Sequence, residues 1–294
     1  MQLIARPERS RMHSLDRLRG ICALSVFLTH WLLWNDAGRA SPSLASFYQF
    51  AGTVYEGISS VAWPRGGQHP AVVCFFVLSG FCVHGGFEKC RLGGGTVDWS
   101  DYFKRRFMRI MPVYWVGALL GLIVVLLQRW APLDHALLQF HSQAGVGEIV
   151  ARLGGFGGVW PHEIFVGNQT LCTVAVEILI YAGYPLFYII AGKKWGWWAL
   201  GLGSVMVYVS SLWWDDFIDP YVVYSSVFVG SLLWFCGAWV ARVFYRGGCS
   251  ISWPWVLGAW VCFALINQLP IHTGGGLLRQ ALWAVICGLI IYWL

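Results

Sequence analysis

The chain has 294 residues, 57% of them apolar and only 12% charged, with 19 Trp and a formal net charge of +6. A soluble domain carries roughly 25% charged residues, so this composition excludes an ordinary soluble enzyme and indicates an integral membrane protein. The positive balance is better explained by basic residues at membrane ends than by nucleic-acid binding.

No small-residue cleavage site follows the first apolar run, which is also too long for a signal-peptide core, so the first helix is expected to remain in the mature protein. That run, residues 15–34, is apolar enough to span a bilayer yet carries Asp16, Arg19 and His30. At ~100° per residue, Arg19 and His30 fall within roughly 20° of each other, and Asp16 lies about 40° away. An ionisable group within a span costs at least ~2.5–3.5 kcal/mol near the helix centre. The polar stripe is therefore expected to face a cavity or a partner, with the helix as one wall of a site.

Runs of about 18–25 apolar residues give eight expected spans, near 15–34, 70–87, 110–128, 171–191, 195–213, 221–244, 252–268 and 277–294. The fold class is thus all-α, a polytopic transmembrane helical bundle forming a single membrane-embedded domain over 1–294. With the N-terminus cytoplasmic, only Arg39, Arg65, Arg129, Arg152 and Arg279 of the 20 Lys and Arg fall outside, and the positive-inside rule is met at every inner loop. The outer segments 35–69 and 129–170 mix Gly, Pro and aromatics and read as loops, not folded domains. Gly154 to Gly158 lacks the lysine and preceding strand of a phosphate-binding loop. Gly117 and Gly121 read as helix packing.

The nine cysteines show no metal-ligand spacing and read as small buried apolar residues, so no metal is expected. The last residues, Ile290 to Leu294, still lie in an apolar run, from which a C-terminally truncated chain is expected.

Depth along the helices suggests a pairing. His30 lies about four residues from the outer end of its span and Glu177 about six from the outer start of the fourth, so each sits roughly 6–9 Å below the outer boundary. A carboxylate on imidazole Nδ1 would fix the tautomer and leave Nε2 to take a proton from a hydroxyl. The structural alternative is that both side chains satisfy polar groups of other helices. Arg105, Arg106 and Arg109 stand at the inner foot of the third span, Arg106 and Arg109 on one face. They suit either phosphate binding or membrane anchoring. Arg19 could contact the same anion or neutralise Asp16. Ser79 has no adjoining base and no GxSxG context, so it reads as a supporting, packing residue. His84, His135, His141, His162 and His272 read as interfacial or loop residues.

Four blocks occur in order: Leu15-Asp16-x-Leu18-Arg19-Gly20 with His30, Phe75 to Phe81 (Phe-Phe-x-Leu-Ser-Gly-Phe), Arg106-x-x-Arg109, and Ile110-x-Pro112-x-Tyr114-Trp115. Together they resemble the acyltransferase 3 family of membrane acyltransferases. A fifth block, Trp-Ser/Thr-Leu-Ser-Val-Glu in the family, is matched loosely by Cys172 to Glu177, with Cys in place of Trp and Ala in place of Ser. The resemblance covers residues 13–190 well and the remainder by hydropathy, and the family's C-terminal Ser-Tyr and His-Pro region has no counterpart here.

The resemblance implies an O-acyltransferase of the bacterial inner membrane that moves an acyl group, with acetyl expected, from acyl-CoA to a hydroxyl of a glycan or lipid-linked saccharide. His30 would be general base with Glu177 assisting, and Arg19, Arg105, Arg106 and Arg109 would hold the donor. Acetyl-CoA would be a co-substrate, and no bound cofactor is expected. The competing class is a small-molecule transporter with Asp16, Arg19, His30 and Glu177 along its path. It predicts an inverted repeat, which the sequence does not show.

Overall fold

The computed structural model describes residues 8–33, 43–62, 68–130, 153–154, 171–214, 227–248, 251–269 and 275–294. Every regular element among them is an α-helix. In chain order these are α1 (Glu8–Leu33), α2 (Ala45–Ala62), α3 (Pro70–Leu92), α4 (Trp99–Trp130), α5 (Leu171–Ala191), α6 (Gly196–Trp214), α7 (Val227–Tyr245), α8 (Trp253–Gln268) and α9 (Gly275–Trp293). Each of the eight expected spans coincides with a helix. Among the described residues, four helical segments are long and apolar enough to cross a bilayer by length and composition: Pro70–Leu92, Thr173–Ala191, Val227–Tyr245 and Gly276–Trp293.

The sequence reading missed α2, which lies in the outer segment expected to be loop. Gly52 and Gly57 lower its helix propensity, and Gln49 and Thr53 break its apolar run. Its formation is explained by packing: Tyr48 is buried, and the helix lies against α1 and α8.

The chain divides into two compact units, Met1–Gly94 with Leu233–Leu294, and Gly95–Leu232. In the first unit α3 is the central helix, packed by α1 and α9, with α8 against α9. Its side chains Val73, Val77, Leu78, Phe81 and Val83 are buried, as are Leu15 and Cys22 of α1 and Leu277, Ala284 and Ile291 of α9. Pro70 occupies the first turn of α3, where a missing N–H is harmless, and His69 caps the helix through its side chain. The α3 and C-terminal α7 backbones touch. A β-carbon on Gly80 would stand 2.0 Å from the Trp234 carbonyl oxygen, and one on Gly237 would stand 1.9 Å from that of Val77. Only glycine permits such an approach between helices.

In the second unit α4 packs on α5, and α5 on α6. Met111, Tyr114, Leu171 and Ala175 form one buried cluster between α4 and α5. Trp99, Tyr102, Tyr184 and Tyr188 form an aromatic cluster in which Tyr102 and Tyr184 are buried: Trp99 meets Tyr188 edge-on at 5.5 Å, and Tyr102 lies 5.6 Å from Tyr184.

Candidate active site

In the first unit, the buried line of α1 runs through Leu15 and Cys22. Arg19 lies about 40° round from Leu15 and Asp16 about 100°, so the polar stripe flanks the buried face and does not lie within it. Arg19 donates from one Nη to Asp16 Oδ1 and from the other to Cys82 Sγ on α3, at 2.8 and 2.9 Å. Of the two expected roles for Arg19, neutralising Asp16 is the contact seen. The side chain of His30 lies outside the described residues, and with it the expected pairing of His30 and Glu177.

Thr29, the residue before His30, is described and is held from three sides. Its Oγ1 donates to the Ser25 carbonyl at 2.8 Å and shares hydrogen bonds with Tyr55 Oη (3.2 Å, from α2) and His69 Nε2 (3.0 Å). The Ala71 N–H donates to His69 Nδ1 at 3.2 Å, so in the neutral ring the proton sits on Nε2, facing Thr29. Burial pushes the Tyr55 hydroxyl above its ordinary pKa, against the lowering effect of the Thr29 bond. This tie fixes the helix turn that carries His30. It joins three segments far apart in sequence, and α2 had not been recognised, so Tyr55 and His69 gave no signal.

Ser79 is buried, as expected of a packing residue, beside the Gly80 crossing. The Phe-rich block around it serves packing: the Phe81 ring lies 6.1 Å from Phe244 and 6.4 Å from Tyr245. The interfacial reading of His84 is corrected. It is fully buried in α3, with Nε2 3.4 Å from Glu88 Oε2, and Glu88 is fully buried too. Position near the end of a hydrophobic run concealed this, since residues there are ordinarily half solvated. The free thiols Cys22, Cys74 and Cys287 are buried, whereas Cys262 is exposed.

In the second unit, Glu177 of α5 accepts a hydrogen bond from Tyr181 Oη one turn along the same helix. The Arg106 guanidinium stands over the rings of Tyr181 and Tyr102, 5.2 and 5.8 Å from their centroids. Tyr102 Oη donates to the Tyr181 carbonyl at 3.2 Å. Burial and the Glu177 charge raise the pKa of the Tyr102 hydroxyl, while Arg106 acts the other way, so it is a neutral donor over the ordinary pH range. Glu177 and Arg106, expected at opposite ends of their spans, are thus linked through one tyrosine. The long side chain of Arg106 reaches from the foot of α4 to a ring near the middle of α5. Arg105 pairs with Asp101 and is 70% exposed; Arg109 is exposed. In the block that follows, Tyr114 is buried, and Trp115 Nε1 donates to the Leu153 carbonyl at 2.9 Å.

With helices as the regular elements of the described residues, four of those helices long and apolar enough to cross a bilayer, and an arginine-bearing helix foot, this is an integral membrane protein of the helical-bundle class. The chain belongs to the acyltransferase 3 family: the family's sequence model, described as an acyltransferase domain, matches residues 12–294. The likeness therefore extends beyond residue 190, where the sequence motifs stop, and the protein is a membrane acyltransferase. No curated protein and no solved structure matches it.

Proposed function

We propose that this acyltransferase uses acyl-CoA as donor, with acetyl as the group transferred, and esterifies a hydroxyl of a glycan or lipid-linked saccharide at the bacterial inner membrane. Arg106 and Arg109, with Arg19 and Arg105 in support, hold the donor's phosphates. His30 serves as general base and Glu177 as the carboxylate that assists it. In the direct form of the reaction, the acceptor O–H proton passes to the imidazole as its oxygen attacks the thioester carbonyl. The C–S bond breaks, and the imidazolium returns the proton to the leaving thiolate.

The observation that supports this reading best is the setting of Arg106. Two tyrosine faces carry its guanidinium, and its planar fork suits a phosphate as a lysine's point charge would not. Membrane anchoring alone gives no reason for that arrangement. Family membership favours acyl transfer over the transporter alternative.

The test is transfer of labelled acetyl from acetyl-CoA into membrane glycans, comparing the wild-type chain with His30→Ala at equal expression. Wild type is expected to incorporate label and His30→Ala to lose on the order of 10²–10⁴-fold in rate, the usual contribution of a general base. Full activity in His30→Ala would overturn the assignment of the base.

A further inference from the structure

The buried carboxylate of Glu88 has no part in the reaction proposed above. Its Oε1 accepts from Arg246 Nε at 2.5 Å, and its Oε2 lies 3.4 Å from His84 Nε2 and 3.9 Å from an Arg91 Nη. Arg242 is within electrostatic range of Glu88, Arg91 and Arg246. Two guanidiniums from two helix ends, Arg246 and Arg91, thus meet one carboxylate, and Lys89 adds its ammonium 5.6 Å from the Tyr245 ring. All lie in the first unit, at the ends of α3 and α7 that the basic-residue count places on the cytoplasmic side.

Anchoring explains cations at such an end, but not a fully buried acid among them. An acid near the C-terminal end of a helix gains nothing from the helix dipole, and its burial there requires cationic partners. What Glu88 does is orient Arg246. It takes the Nε–H and leaves the Nη edge of the fork on a side chain that is 42% exposed. The backbone is fixed as well. Arg246 follows α7 directly, and Gly247 (φ +79°) and Gly248 close the helix, their N–H groups bonding to the Phe244 and Val243 carbonyls at 3.3 and 2.9 Å. On the other side, Gly85 admits the Tyr245 ring to within 2.7 Å of where a β-carbon would sit, which brings the end of α7 onto α3 beside Glu88.

A guanidinium fixed at Nε, with a further arginine nearby and net positive charge, has the makings of a bidentate receptor for a phosphoryl group. We propose that Arg246 and Arg91 form a phosphate-binding site at the cytoplasmic end of the first unit, with Glu88 as its positioning residue. The ligand is a phosphate mono- or diester, or a pyrophosphate. Soluble nucleotide-type donors and anionic lipid headgroups both carry that chemistry.

The experiment uses the full chain in nanodiscs. Pyrophosphate and coenzyme A binding is measured by calorimetry in phosphatidylcholine discs, and retention of phosphatidylglycerol by native mass spectrometry. Wild type is compared with Arg246→Lys, Arg246→Gln and Arg91→Gln. Arg246→Lys keeps the charge and loses the fork, so on the order of tenfold weaker binding is expected in one arm, with an unchanged elution profile. Loss in the pyrophosphate arm assigns the site to a soluble phosphate ligand, and loss in the lipid arm assigns it to a headgroup. If Arg246→Gln does not fold, Arg91→Gln provides the same reading. Binding within twofold of wild type in both arms, for every folded variant, would overturn the proposal.

Discussion

Two arginines of this chain are held in opposite ways. Arg246 is fixed by a carboxylate withdrawn from solvent, on helices whose backbones touch at Gly80 and Gly237. Arg106 rests on two aromatic faces, and the nearby carboxylate, Glu177, bonds to the Tyr181 hydroxyl that one of those faces carries. An ion pair fixes direction at the expense of desolvating both charges, whereas a ring face tolerates rotation of the guanidinium over it. The first arrangement suits a static receptor, and the second suits a side chain that must follow a ligand.

The comparison can be broken most severely at the helix crossing. Gly80→Leu places carbon on the Trp234 carbonyl and must separate α3 from α7. We expect destabilisation of roughly 3 kcal/mol or more, seen as loss of folded chain in a thermal melt, and a near-normal melt would mean that the crossing is looser than described. A smaller effect is expected in the second unit. Tyr181→Phe keeps the ring under Arg106 and removes the hydroxyl from Glu177, which should lower stability by about 1–3 kcal/mol. The donor KM should change less in Tyr181→Phe than in Arg106→Ala; equal KM effects would show that the ring face is not what holds the arginine. Least of all, Arg105→Ala breaks an exposed pair with Asp101, and a change below about 1 kcal/mol is expected in the same melt.

Much of this architecture was legible because a span announces itself. Long apolar runs are read directly, so each of the eight expected spans fell on a helix, and four of the described helices are long and apolar enough to cross a bilayer. Partnerships were less legible. Arg106 could be read as a charge at a helix foot, but Tyr181 lies on another helix and carries no mark of its role. Glu88 carries no mark of burial in the sequence; its exclusion from solvent and its bond to Arg246 come from α7 packing against α3, with Tyr245 on Gly85. The helix Ala45–Ala62 was hidden for a related reason, since its apolar face is assembled from spaced residues and not from a run.

The first unit is discontinuous in the chain, and this bears on its synthesis. Glu88 is separated from Arg246 by 158 residues. At roughly 5–20 residues per second, translation leaves the carboxylate without that partner for on the order of 10–30 seconds. During that interval α3 carries an acid that water, a proton or a neighbouring basic residue must satisfy. Final seating of α3 therefore waits until α7 has emerged, and this unit is completed from its two ends toward an interior helix made long before.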